Sequence, residues 1–173
     1  MEEKVDLLSL TNKQAVDMDD FKLSVTAYEL ICKPLDGVKM EKAQDRVRKL
    51  PSLIRPLYTV LVLQSEVENG GFNQYFWNSS GRLASEALDD LVCLDAKQHA
   101  ALLKYAIMIE KDESPMMAEF KKPQTWDSFA ESYKHTELEP LDDEFYKLPK
   151  LDKFRADHIR KNLQEIQGYF QNQ

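Results

Sequence analysis

Apolar residues recur along this chain with a helical period, and no segment alternates convincingly in the manner of a strand. Phe21, Val25, Tyr28 and Cys32 stand at i, i+4, i+7 and i+11, with Asp17 or Asp19 placed to cap the start and Pro34 beyond the end. That spacing predicts a helix with those four side chains inward. A short basic helix is predicted over 38–50, with Met40, Ala43 and Val47 inward and Pro51 as its stop. The next runs over 52–69, where Gly70 offers a left-handed cap. Its middle, LYTVLVL, is apolar on every side, as in the buried central helix of a domain. Thr59, Val60 and Val62 would also suit a buried strand, but the pattern continues through Gln64, Glu66 and Val67 to a glycine, which favours helix.

Further helices are predicted over 81–92, capped by Ser79 or Ser80, and over 95–109. A shorter one starts behind Thr125 and carries Trp126, Phe129 and Tyr133. The last, over 151–170, places Leu151, Phe154, His158, Leu163, Ile166 and Phe170 on one side. There is no internal repeat and no dividing linker. The fold class expected is all-α, a single compact multi-helix domain over 1–173 around a buried central helix at 52–69. A chain of 173 residues can bury about two-thirds of its extended surface and needs no disulfide or metal staple.

Charge refines this picture by segment. The formal net charge is -7, which argues against a direct nucleic-acid or anionic-membrane binder. Residues 39–55 hold 2 acids and 6 bases, whereas residues 110–144 hold 11 acids and 4 bases, interleaved with aromatics. That one window matches the net charge of the whole chain. The longest apolar run, Leu57 to Leu63, is far below the roughly 20 residues that span a bilayer. The opening MEEKVDLLSL is acidic where a secretory leader is basic, so a cytoplasmic protein is expected. Cys32 and Cys93 are too few for a disulfide framework and are expected as reduced core residues.

Chemistry is harder to find. His99, His135 and His158 share no metal-ligand spacing, and the acidic runs lack the glycine and ligand spacing of a calcium loop. Gly70-Gly71 has no phosphate-cradle pattern behind it. No catalytic residue, cofactor or metal is expected.

The sharpest motif is NGGFNQYFWNSSG at residues 69–81. Phe72, Tyr75 and Phe76 recur at helical spacing and are expected to pack inward, while Asn73, Gln74, Tyr75 and Asn78 could instead line a polar pocket. The motif resembles the signature of a bacterial family of small all-helical proteins typified by a neisserial DNA mimic. The resemblance implies a dimer whose acidic surface imitates duplex DNA and occupies the DNA-binding face of a helix-turn-helix transcription factor of the nitrogen-response type, excluding operator DNA. Carboxylates three or four residues apart on a helix lie roughly 5–6 Å apart at Cβ, close enough to approximate a phosphate row. The acids offered for such a surface are Asp17, Asp19, Asp20, Asp112, Glu113, Glu119, Glu137, Glu139, Asp142, Asp143 and Glu144. Trp126, Phe129 and Tyr133 could add apolar contacts, and Leu163, Ile166 and Phe170 could form a dimer seam or belong to the core. The basic residues of 39–55 should then face away from the partner. Two alternatives stand beside mimicry: a generic interaction or scaffold module, and a small enzyme with a pocket around Asn73, Gln74, Tyr75 and Asn78.

Overall fold

The computed structural model describes residues 5–172; residues 1–4 of the acidic opening lie outside them. Its elements are α1 (Asn12–Asp17), α2 (Asp20–Cys32), α3 (Met40–Arg48), α4 (Arg55–Trp77), α5 (Ala84–Cys93), α6 (Lys97–Lys121), α7 (Trp126–Ser132), α8 (Glu139–Lys147), α9 (Leu151–Lys161) and α10 (Leu163–Gln171), joined by short 3-10 turns. No strand occurs among the described residues, and the chain is all-α.

Helix α4 is central, as the apolar run predicts. Leu57, near its start, enters one core with Leu23, Ala27 and Ile31 of α2, Ala156 and Ile159 of α9, and Leu163 and Ile166 of α10. Val60, Leu63 and Val67 enter a second core with Ala87 and Leu91 of α5, Leu103 of α6 and Phe145 of α8. Buried charged groups between the helices are paired, as their desolvation requires. Asp90 accepts from Arg55 at 2.9–3.1 Å and from the Thr59 hydroxyl at 2.6 Å. Arg155, 1% exposed, donates to Gln64 and to Asp152.

Several local expectations give way to tertiary packing. Phe21 is 60% exposed, and α2 buries Leu23, Ser24, Ala27 and Ile31 in its place. The small Ser24 and Ala27 let α9 approach, and the Ser24 hydroxyl donates to the Asp152 carbonyl. Asp19, not Asp17, caps α2, accepting from the Lys22 amide at 3.0 Å. Met40 is likewise exposed, while Ala43 and Val47 are buried.

Helix α6 does not end near 109 but continues through Pro115. The proline cannot donate to the carbonyl of Lys111, and the Ser114 hydroxyl takes that acceptor at 3.1 Å. The predicted helix over 151–170 is two helices, broken at Asn162, whose side chain turns back to the His158 carbonyl at 2.9 Å. Thr125 caps α7 as its position predicts, accepting from the Ser128 amide at 3.2 Å. Neither Ser79 nor Ser80 caps α5; a 3-10 turn, Ser79–Leu83, leads into it, and Ser80 is used elsewhere. Cys93 is exposed and Cys32 only half-buried, so neither is a core residue.

Candidate functional site

The signature motif sits on a break in α4. The helix does not stop at Gly70; it loses its ladder at Gly70 and Gly71 and resumes within two residues. Gly71, not Gly70, takes the left-handed conformation, with φ +67°, and a Cβ there would collide with the Asp142 carboxylate. The polar groups freed by the break are met from the opposite wall. The Phe72 amide donates to Asp142 Oδ1 at 2.7 Å, the Tyr133 hydroxyl to the Gly70 carbonyl at 2.6 Å, and the Tyr146 hydroxyl to the Val67 carbonyl at 2.8 Å. Asn73 donates to the Ser132 hydroxyl at 2.9 Å inside the core. Asp142 therefore acts as the cap of the resumed helix. Burial raises its pKa to about 6; the Phe72 amide opposes that rise, and Asp143 and Glu139 add to it.

On the other side of the break, Glu66 straps the two halves of α4 together. Its Oε2 accepts from Gln74 and Asn78, both at 2.8 Å, and its Oε1 from the Ser80 hydroxyl at 2.8 Å. Asn69 in turn donates to Gln74 Oε1 at 3.0 Å. Glu66 and Gln74 line a groove of about 520 Å³ that also touches Tyr28, Met40 and Tyr58. The four residues proposed for an enzymatic pocket do not share it: Asn73 and Tyr75 are buried in the core, and Phe72 beside them is fully covered. Ser132, Tyr133 and Tyr146 escape sequence reasoning because they reach the break only through tertiary packing, and Glu66 because it meets the motif across the break in its own helix.

The predicted acids fall into different environments. On α6, Asp112 is exposed, while Glu113 accepts from the Thr136 hydroxyl and the Glu137 amide, each at 2.7 Å. These two bonds join the acidic half of α6 to the segment opening α8, where Glu137, Glu139 and Asp143 are exposed. Glu119 and Glu144 are also exposed but hold Lys122 and Lys147. Asp142 turns inward, as described. Asp17, Asp19 and Asp20 lie on the α1–α2 segment, which packs on α9, and Asp20 pairs with Arg160 at 2.7 Å.

The aromatics of the acidic window divide too. Phe129 is buried between Trp77, Trp126 and Tyr133, whereas Trp126 is 78% exposed. Leu163 and Ile166 belong to the monomer core and cannot serve as a dimer seam. Among the basic residues of 39–55, Arg48 is occupied by Glu86 and Arg55 by Asp90. Among the described residues no group of histidine, cysteine, aspartate or glutamate could hold a metal ion, and no helix is long and apolar enough to cross a membrane.

A family model described as DMP19-like protein matches residues 48–162. The chain belongs to the DMP19-like family. This is the DNA-mimic family whose signature the motif resembles, and the match runs from the end of α3 to the end of α9. It contains the break, its Asp142 clamp and every predicted acid from Asp112 to Glu144, and lies beyond Asp17, Asp19 and Asp20. No curated protein and no solved structure matches the chain.

Proposed function

We propose that this protein is itself a DNA mimic, with the face formed by the acidic half of α6 and the start of α8 standing in for the phosphates of duplex DNA. Its partner is a helix-turn-helix transcription factor of the nitrogen-response type, from which it excludes operator DNA, and it acts as a homodimer without catalysis. The observation that carries this reading is the pair of Glu113 hydrogen bonds, which draw two acidic segments far apart in sequence onto one part of the surface. In these two segments Asp112, Glu137, Glu139 and Asp143 are exposed, and none of them is paired with a lysine, arginine or histidine among the described residues. Unneutralised carboxylates are available to arginine and lysine side chains that otherwise meet phosphates. The exposed Trp126 supplies an apolar anchor in the same stretch of chain, of the kind that concentrates binding energy at interfaces. Family membership supports the same function.

The test is a capture from bacterial lysate followed by displacement. The captured protein is expected to be a basic DNA-binding regulator, and the wild-type protein to release that regulator from its labelled operator duplex. Capture of proteins without a DNA-binding face, or a ternary complex with DNA still bound, would support the scaffold alternative.

A further inference from the structure

The signature motif does more than break α4: its second side gathers on Glu66, away from the Asp142 clamp. The break itself needs Gly71, Phe72 and the Asp142 clamp. Gln74, Asn78 and Ser80 instead converge on Glu66, a half-buried carboxylate at one end of the groove between α2, α3 and α4. All three donors are neutral. A carboxylate offers about four acceptor positions, and three are filled, leaving one on Oε1. No lysine, arginine or histidine forms an ion pair with Glu66 among the described residues. Asp90, Glu86 and Asp152 each hold an arginine, whereas Glu66, like Asp142 and Glu113, is held by neutral donors, and of these three it is the one that lines the groove. A negative charge held in place by neutral amides and a hydroxyl, with a lone pair still open, is complementary to a cation from outside.

Beyond the Glu66 cluster the groove is mixed, with an apolar and aromatic part beside the polar Gln44, Ser65, Asn69 and Ser79. Tyr58, Leu61 and Val62 lie on the one face of the LYTVLVL run that the cores leave half-covered. Tyr58 stacks on Tyr28 with ring centroids 5.4 Å apart, and tyrosine faces attract cations and apolar groups alike. Met40, 56% exposed on the rim, is a side chain that adapts to what it covers. A second hollow of about 470 Å³ shares Tyr28, Met40 and Tyr58 and extends the same space. Volumes of this size fall in the range of about 300–1,000 Å³ usual for small-molecule sites.

We propose that this groove binds an amphipathic organic amine, its ammonium on Glu66 and its apolar part along Tyr58, Leu61 and Val62. The site is independent of the acidic face and stands whether or not mimicry is correct. Phenethylamine, 2-phenylethanol and 3-phenylpropionate are matched probes with a positive, a neutral and a negative head. Added to the 15N-labelled protein at equal ionic strength, phenethylamine should give saturable shifts centred on Tyr58, Ser65, Gln74 and Ser80. The alcohol should bind at least about tenfold more weakly, and the acid should leave these resonances in place. Glu66→Gln should bring the amine down to the affinity of the alcohol. Equal affinity of amine and alcohol for the wild-type protein overturns the proposal, as do amine shifts spread over α8 and absent from the groove. The wild-type comparison decides even if the variant does not fold.

Discussion

Gly71 and Asp142 form a single device. Any side chain at position 71 must adopt a positive φ and displace the carboxylate that caps Phe72, so Gly71→Ala should cost more than the roughly 1 kcal/mol typical of glycine replacement at such angles. Asp142 also carries a pH signature. Its carboxyl titrates at about 6 in the folded protein, above the ordinary aspartate value near 3.9 in the unfolded chain. Between those values the folded state holds more protons than the unfolded one, so stability from this group is present at the acid end and falls as pH rises through the window. Relative to Asp142→Asn, the wild type should therefore be at its best near pH 4 and lose ground by pH 6. Denaturant melts of both proteins across that range check this; a constant gap would show that the carboxyl is not shifted. Phe72, fully buried, should cost about 3–5 kcal/mol on change to Ala, and the half-covered Phe76 less. Trp126→Ala should leave stability within about 0.5 kcal/mol and weaken partner binding, because the ring is exposed.

At the scale of elements, the acids separate into those that bind neighbours within the fold and those that are free. Changing Asp112, Glu137, Glu139 and Asp143 together to amides should weaken binding of a DNA-binding partner with little loss of stability, since exposed like charges contribute little to folding. Glu113→Ala should instead lower stability, because it removes two bonds that tie the segment leading into α8 to α6, at about 0.5–1.5 kcal/mol each. Parallel thermal melts and partner titrations of the two variants check the division; equal loss of binding at unchanged stability in both would contradict it. The sequence could not separate these groups. Glu113 and Asp142 look like any other acids of the window, and their partners lie at Thr136 and Phe72, reachable only after folding. What was legible were the signals written within a few residues: the Thr125 cap, the inward Ala43 and Val47, the continuous apolar run of α4. Where packing chose the face, periodicity misled. The ring stripe from Phe21 lost to small residues that admit α9, and Pro115 did not stop α6 because Ser114 satisfies the carbonyl left open. α8 was hidden by its own charge, as its acids masked the short apolar face of Leu141 and Phe145.

For the whole molecule, mimicry of an operator sets demands that one copy meets poorly. A two-fold dimer could present two acidic faces to the two half-sites of a dimeric regulator, about one helical turn apart. The seam must then come from surface outside Leu163 and Ile166, which the monomer core consumes. Sedimentation at micromolar concentration should show a dimer, and a monomer there would count against this geometry.

Salt dependence tests the central claim most directly. Duplex DNA condenses counterions, and a protein that neutralises Z phosphates gives a log–log salt slope near -0.9Z. Two copies of this chain carry only twice its formal charge of -7, at lower linear density, and should release fewer cations when the same regulator surface docks. One regulator, titrated with this protein and with operator duplex from low to moderate salt, should bind both more weakly as salt rises, with the shallower slope for the protein. A protein complex indifferent to salt would contradict charge imitation, and a slope as steep as that of DNA would contradict the counterion account.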